Sequence, residues 1–254
     1  MTVRLHHRIE GKGPCVLLLH AVGVDLTFMQ PLATVLAKNF TVLRVDLRGH
    51  GKSSYVPATG LEDYADDVHA LLAELSFAPC AVAGFAFGGM VTQALAVKYP
   101  QDVRALVIAS CPKEQTSESA KVVAARGTDA RRDGIGGILD VTVQRWLNDD
   151  FRARGGDAAT RARLLSTDVN GWADAWTAMA NISTAPRLQE IKVPTLCLVG
   201  EFDKSTPPPV VKAIADAIPG ARFTVMPGGP HMLFIEMPEE TATVVAEFLR
   251  EGLA

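Results

Sequence analysis

Cys80-Ala-Val-Ala-Gly84-Phe85-Ala86-Phe87-Gly88-Gly89-Met90, continuing as Val91-Thr-Gln-Ala-Leu-Ala-Val-Lys-Tyr99, decides the fold. A short apolar run, a Gly-x-x-x-Gly turn and an amphipathic stretch spell strand, sharp turn and helix, the geometry of a nucleophile elbow. The central residue of such a turn is held at strained backbone angles and needs small neighbours, a need that Gly84 and Gly88 meet. The central position is Ala86, whose methyl group can neither attack a carbonyl nor relay a proton.

Upstream, Val3 to Ile9 alternates and ends in the turn cluster Glu10-Gly-Lys-Gly-Pro14, which predicts a first hairpin strand at the sheet edge. Cys15 to His20 is a continuous apolar run suited to an inner parallel strand. A helix from about Phe28 to Lys38, a strand from Thr41 to Val45, the polar loop Asp46-Leu-Arg48-Gly49-His50-Gly51-Lys52-Ser53-Ser54 and a helix from Leu61 to Leu75 follow. Downstream of the elbow, Val103 to Ala109 reads as the next strand. This alternation predicts a doubly wound, mostly parallel α/β sheet.

The alternation then stops. Between Cys111-Pro112 and Ala185-Pro186 the chain offers Ala-rich and charged helical segments, with glycine breaks expected at Gly127, Gly134, Gly136-Gly137, Gly155-Gly156 and Gly171. A strandless stretch of that length is too long for a loop and reads as a helical lid. The expected layout is a core of residues 1–111 and 186–254 with a cap of residues 112–185. Strand, helix, strand and helix resume at Thr195 to Gly200, Pro208 to Ile218, Arg222 to Met226 and Pro238 to Arg250.

Composition excludes several classes. The 254 residues are 48% hydrophobic and 21% charged with net charge -3, which gives no basic stripe for nucleic acid and no acidic tail. No apolar run approaches the roughly 20 residues that a membrane helix needs, and Met1 to Arg8 lacks the pattern of a secretory signal, so a cytoplasmic location is expected. The four cysteines, at 15, 80, 111 and 197, show no Cys-x-x-Cys spacing and read as reduced, packed thiols. Neither metal nor cofactor is implied, and oligomeric state is left open.

Three elements stand in one order: the elbow at 86, an acid in Gly200-Glu201-Phe202-Asp203, and a histidine in Gly228-Gly229-Pro230-His231. With the His20-Ala21-Val22-Gly23 loop and the 46–54 loop, they make a chain that resembles the α/β-hydrolases, whose triad runs nucleophile, acid, histidine. The resemblance implies the α/β-hydrolase fold, with the helical lid inserted after the sixth strand. It implies His231 as the base and Asp203 as its orienting acid, with Glu201 as the competing carboxylate. Backbone N–H groups of Val22 and Phe87 would form the oxyanion hole, although Ala21 stands where the family often has glycine. His20, His50, Asp46 and Arg48 read as structural residues. Ser110 ends a strand near the expected pocket, without the elbow's strain.

Asp203-Lys-Ser-Thr206-Pro207-Pro208, the Gly-Gly-Met of the elbow, Gln144-Arg145-Trp146 and Ile218-Pro219-Gly220-Ala221 are similar to the 3-oxoadipate enol-lactonases in particular. That likeness implies a small ester or lactone substrate that bears a carboxylate, with Trp146 over it. One or more of Arg131, Arg132, Arg145, Arg152 and Arg154 would hold its carboxylate. Ala86 then has three explanations: deliberate replacement of the nucleophilic serine, which disables an acyl-enzyme hydrolase; a non-hydrolytic ligand-binding relative with native alanine; or chemistry run by His231 on water. Carbon–carbon bond hydrolases share several of the same features.

Overall fold

The computed structural model describes residues 3–252, so the first two and last two positions of the expected core lie outside the described residues. Seven strands form one sheet in the order β1-β3-β2-β4-β5-β6-β7. They are β1 (His7–Gly11), β2 (Cys15–Leu19), β3 (Thr41–Val45), β4 (Cys80–Phe85), β5 (Val103–Ala109), β6 (Thr195–Gly200) and β7 (Arg222–Met226). All neighbours pair in parallel except β1, which runs antiparallel to β3. The central strands β4 and β6 are buried at every residue, because helices cover the sheet and leave no face for polar alternation.

The helices of the core are α1 (Gln30–Leu36), α2 (Leu61–Leu75) and α3 (Phe87–Lys98). The cap contributes α4 (Ser117–Trp146), α5 (Asp149–Ala153), α6 (Ala158–Leu165) and α7 (Val169–Ala180). After β6 come α8 (Pro208–Ala217), α9 (Leu233–Glu236) and α10 (Pro238–Gly252). In the core α1 packs on α10 and α2 on α3, while α4 and α7 pack on each other in the cap.

Two expectations need correction. The first strand lies at the sheet edge but makes no hairpin with β2, because β3 enters between them. Thr41 seals that arrangement through its N–H to the Pro14 carbonyl at 3.0 Å and its hydroxyl to the Gly13 carbonyl at 2.8 Å. The helical insertion follows the fifth described strand rather than a sixth. Residues 3–6 add no second strand to the ladder; they are anchored instead by the Val3 N–H on Asp67 and the His6 N–H on the Ser53 hydroxyl.

Of the expected glycine breaks, Gly155-Gly156 falls between α5 and α6, whereas Gly136, Gly137 and Gly171 lie inside helices. Only Gly134, at φ 72° and ψ 169°, interrupts the helical geometry of α4, which it kinks. Gly127 stays helical and lets α7 approach, since a Cβ there would lie 2.8 Å from the Ala173 carbonyl oxygen.

A buried polar clasp joins cap to core. Gln93 of α3 donates from its amide to the Pro112 carbonyl at 2.9 Å and accepts the Thr184 hydroxyl at 2.7 Å, while the Thr184 N–H reaches the Lys113 carbonyl at 3.0 Å. Glu114 and Ser183 add an antiparallel bridge between the same two linkers. Among the described residues no helix is long and apolar enough to cross a membrane.

Candidate active site

The turn between β4 and α3 holds Ala86 at φ 51° and ψ -111°, a region that a side chain seldom occupies. Close packing enforces it. A Cβ at Gly84 would lie 2.2 Å from the Gly88 carbonyl oxygen, and one at Gly88 would lie 2.3 Å from that of Leu19. The Ala86 N–H is fixed on the Ala109 carbonyl of the neighbouring strand at 2.8 Å. Phe87 begins the helix, so its N–H has no intrahelical acceptor.

Two further strand ends deliver the titratable groups. Asp203 follows β6 and His231 follows β7, and both are buried. The imidazole Nδ1 lies 2.8 Å from Asp203 Oδ2 and 3.0 Å from Oδ1. Oδ1 also accepts the backbone N–H groups of Ser205 at 2.8 Å and Thr206 at 2.7 Å, which lock the carboxylate in place. An ionised carboxylate only accepts, so Nδ1 carries the proton and Nε2 is left as the acceptor. The competing Glu201 turns away and receives the Gly228 N–H at 2.8 Å.

A cavity of about 750 Å³ joins these pieces. Val22, Ala86, Phe87, Ser110 and His231 line its core side; Arg126, Arg145, Trp146, Trp176 and Met179 line its cap side. Geometry of this kind can support acyl transfer: an imidazole held at Nδ1 and the backbone N–H at a helix start meet at one cavity.

The model of the Alpha/beta hydrolase family matches residues 16–244. The chain belongs to that family. Among proteins of known activity, it is 24% identical over 239 residues to 3-oxoadipate enol-lactonase 1 of Acinetobacter baylyi, covering 93% of this chain and 89% of that one. Among solved structures, the enol-lactonase of Burkholderia xenovorans superposes with a TM-score of 0.93 at 29% identity, over 98% of this chain and 97% of the other. A malate-bound thermophilic esterase of Thermogutta terrifontis gives 0.92 and 29%, over 98% and 94%.

Of the five cap arginines singled out in the sequence of this α/β-hydrolase, Arg145 alone lines the cavity. Arg131 pairs with Asp174, Arg132 with Asp129 and Asp133, and Arg152 with Asp149, while Arg154 is exposed. Arg126, not among the five, lies with its guanidinium carbon 4.6 Å from the centre of the Trp176 ring. Burial, with the nearby charge of Arg145, pushes its pKa down to about 10. The Trp176 indole N–H is buried without an acceptor among the described residues. Ser119, Val122, Val123 and Arg126 recur at helical spacing and all line the cavity, a stripe that is readable in the sequence once α4 is known to face inward. Ser110 also departs from expectation: at φ 52° it has a positive φ, as Ala86 does.

His20 and His50 are buried structural groups of this hydrolase fold. His20 Nδ1 bonds the Ala21 carbonyl at 2.7 Å and its Nε2 accepts the Leu47 N–H at 3.0 Å. His50 bonds the Arg48 carbonyl at 2.9 Å through Nδ1. Burial, reinforced by His20, pushes the His50 pKa down to about 3, and burial also lowers that of His20. His50 stays neutral in the folded chain while the unfolded chain protonates it below about 6.5, so stability falls as pH drops through that value, and the lowering of His20 acts in the same direction. For His50 the slope is about 1.4 kcal/mol per pH unit until its folded pKa is reached. Urea midpoints at pH 7 and pH 5 should differ accordingly, and His50→Gln should flatten the dependence; equal slopes for both proteins would refute this.

Proposed function

We propose that this fold is built to hydrolyse a small ester or lactone through an acyl-enzyme, with position 86 as the place of the nucleophile. The carrying observation is the buried Asp203–His231 pair, delivered to the same cavity as the strained elbow. A serine at 86 would attack the carbonyl, and the N–H groups of Val22 and Phe87 would hold the oxyanion. His231, oriented by Asp203, would move the proton and then activate the water that releases the acid. With alanine at 86 the chain is a nucleophile-less form of such an enzyme, working in a cytoplasmic setting, with residues 112–185 as its cap. The test is Ala86→Ser, assayed on a panel of enol-lactones and esters and with a serine-directed phosphonate.

Arg126 and Arg145 support a carboxylate on the substrate, with Trp146 packed above it. The two guanidinium groups face one cavity beside an unpaired indole N–H, and neither has a carboxylate ion-pair partner among the described residues. The esterase that superposes on this chain was solved with malate bound, which agrees with that reading. In the serine-restored enzyme, Arg126→Met should lower kcat/KM for carboxylate-bearing esters about 10- to 100-fold, since hydrogen bonds to charged groups contribute roughly 1.5–3 kcal/mol. Neutral esters of equal size should change little. Equal losses on both series would sink the assignment of Arg126.

A further inference from the structure

Ser110 stands directly after β5, whose Ala109 pairs with Phe85 and receives the Ala86 N–H. Its own N–H is fixed on the Leu198 carbonyl of β6 at 2.9 Å. Strand ends on both sides therefore pin this residue next to the elbow. Three non-glycine residues have positive φ among the described residues: Ser76, which caps α2, Ala86 and Ser110. Side chains persist in that region where the surroundings over-determine them, and such positions cluster at functional sites.

The Ser110 side chain is 1% exposed, and its Oγ has no hydrogen-bond partner among the described residues. Three other hydroxyls on the cavity wall are engaged: Thr116 and Ser119 bond each other, and Ser205 reaches the Arg145 carbonyl. A buried hydroxyl is costly to leave unpaired, so the partner of Ser110 is to be sought in the cavity it shares with Ala86 and His231.

We propose that Ser110 is a positioning hydroxyl that holds a water molecule against His231 Nε2, so that the Ala86 chain hydrolyses esters by direct attack of water. This rests on the ester and lactone reading above. His231 Nε2 takes one proton as the water oxygen bonds to the carbonyl carbon. The bond from that carbon to the leaving oxygen then breaks, and the imidazolium returns its proton there, giving acid and alcohol, or the ring-opened acid from a lactone. Ser110 keeps its own proton throughout. In a serine-restored enzyme the same hydroxyl would position the water that cleaves the acyl-enzyme.

The test uses p-nitrophenyl acetate and dihydrocoumarin with the chain as it stands, Ser110→Ala and Ser110→Gly. The chain should turn over both probes above the buffer blank. Each variant should lower kcat at least tenfold with KM within twofold, and Ser110→Gly, which relieves the backbone strain, should melt no lower than its parent. In the Ala86→Ser background, Ser110→Ala should slow the steady phase that follows the nitrophenolate burst and leave the burst rate alone. No rate above the blank, an unchanged kcat in Ser110→Ala, or losses that track melting temperature in both variants would each overturn the proposal. If Ala86→Ser is itself inert on every ester and lactone, the ester reading fails and this proposal with it. An active Ala86→Ser enzyme indifferent to Ser110 overturns this proposal alone.

Discussion

Ala86→Ser is expected to raise hydrolysis of the best small ester or enol-lactone by on the order of 10⁴-fold or more, the scale on which nucleophile removal disables a serine triad. The substitution adds one oxygen to a methyl group that already stands at the elbow, at φ 51°, facing the cavity. Backbone strain is already present in the alanine form, so the melting temperature should hardly move. The new hydroxyl would meet an imidazole whose Nδ1 is held by Asp203 and whose Nε2 is ready to accept. A burst of product and covalent capture of a phosphonate at position 86 would accompany the gain. An inert serine variant that still binds small carboxylic esters would instead favour a ligand-binding role for the fold.

In that serine background, Asp203→Asn should cost about 10⁴-fold in kcat while leaving ligand binding in place. The reason lies in the two backbone N–H groups of Ser205 and Thr206, which donate to Oδ1 at 2.8 and 2.7 Å. They would hold the amide oxygen of asparagine where Oδ1 now lies and place the amide NH₂ at the Oδ2 position, 2.8 Å from His231 Nδ1. That group donates, so Nδ1 would have to accept and the proton would move to Nε2, where it blocks the base. Single-turnover rates with p-nitrophenyl acetate, beside the Kd of a product acid, measure the two effects separately. A loss below tenfold would mean that Asp203 does not set the tautomer.

The core was legible because its signals are local. β5, β6, β7 and α2 fall on the residues expected from apolar runs and periodicity, and the elbow was written in Gly84 and Gly88. The meeting of Asp203 with His231 was legible through the order of motifs in the family it resembles. Non-local facts escaped. Nothing between Gly11 and Cys15 announces that β3 will enter the sheet between β1 and β2. In the cap, helix periodicity gives each helix a face but not the direction in which that face points. Surface arginines with nearby aspartates were therefore singled out while Arg126, which packs on a tryptophan 50 positions later in the chain, was not. Ser110 was placed near the pocket but without backbone strain, because a positive φ at a serine after a strand has no sequence signature.

The Gln93 clasp sets where this protein can be cut and rejoined. Pro112 and Lys113 on one linker and Thr184 on the other are bound into the same hydrogen-bonded knot as the helix that begins at the elbow. Recombination between relatives should therefore exchange residues 115–182 as one cassette and keep Gln93, Pro112 and Thr184 from a single parent. Junctions placed inside the knot would strand buried amide and hydroxyl groups next to the cavity that Pro112 lines, whereas junctions beyond it exchange the pocket's roof and leave its floor untouched.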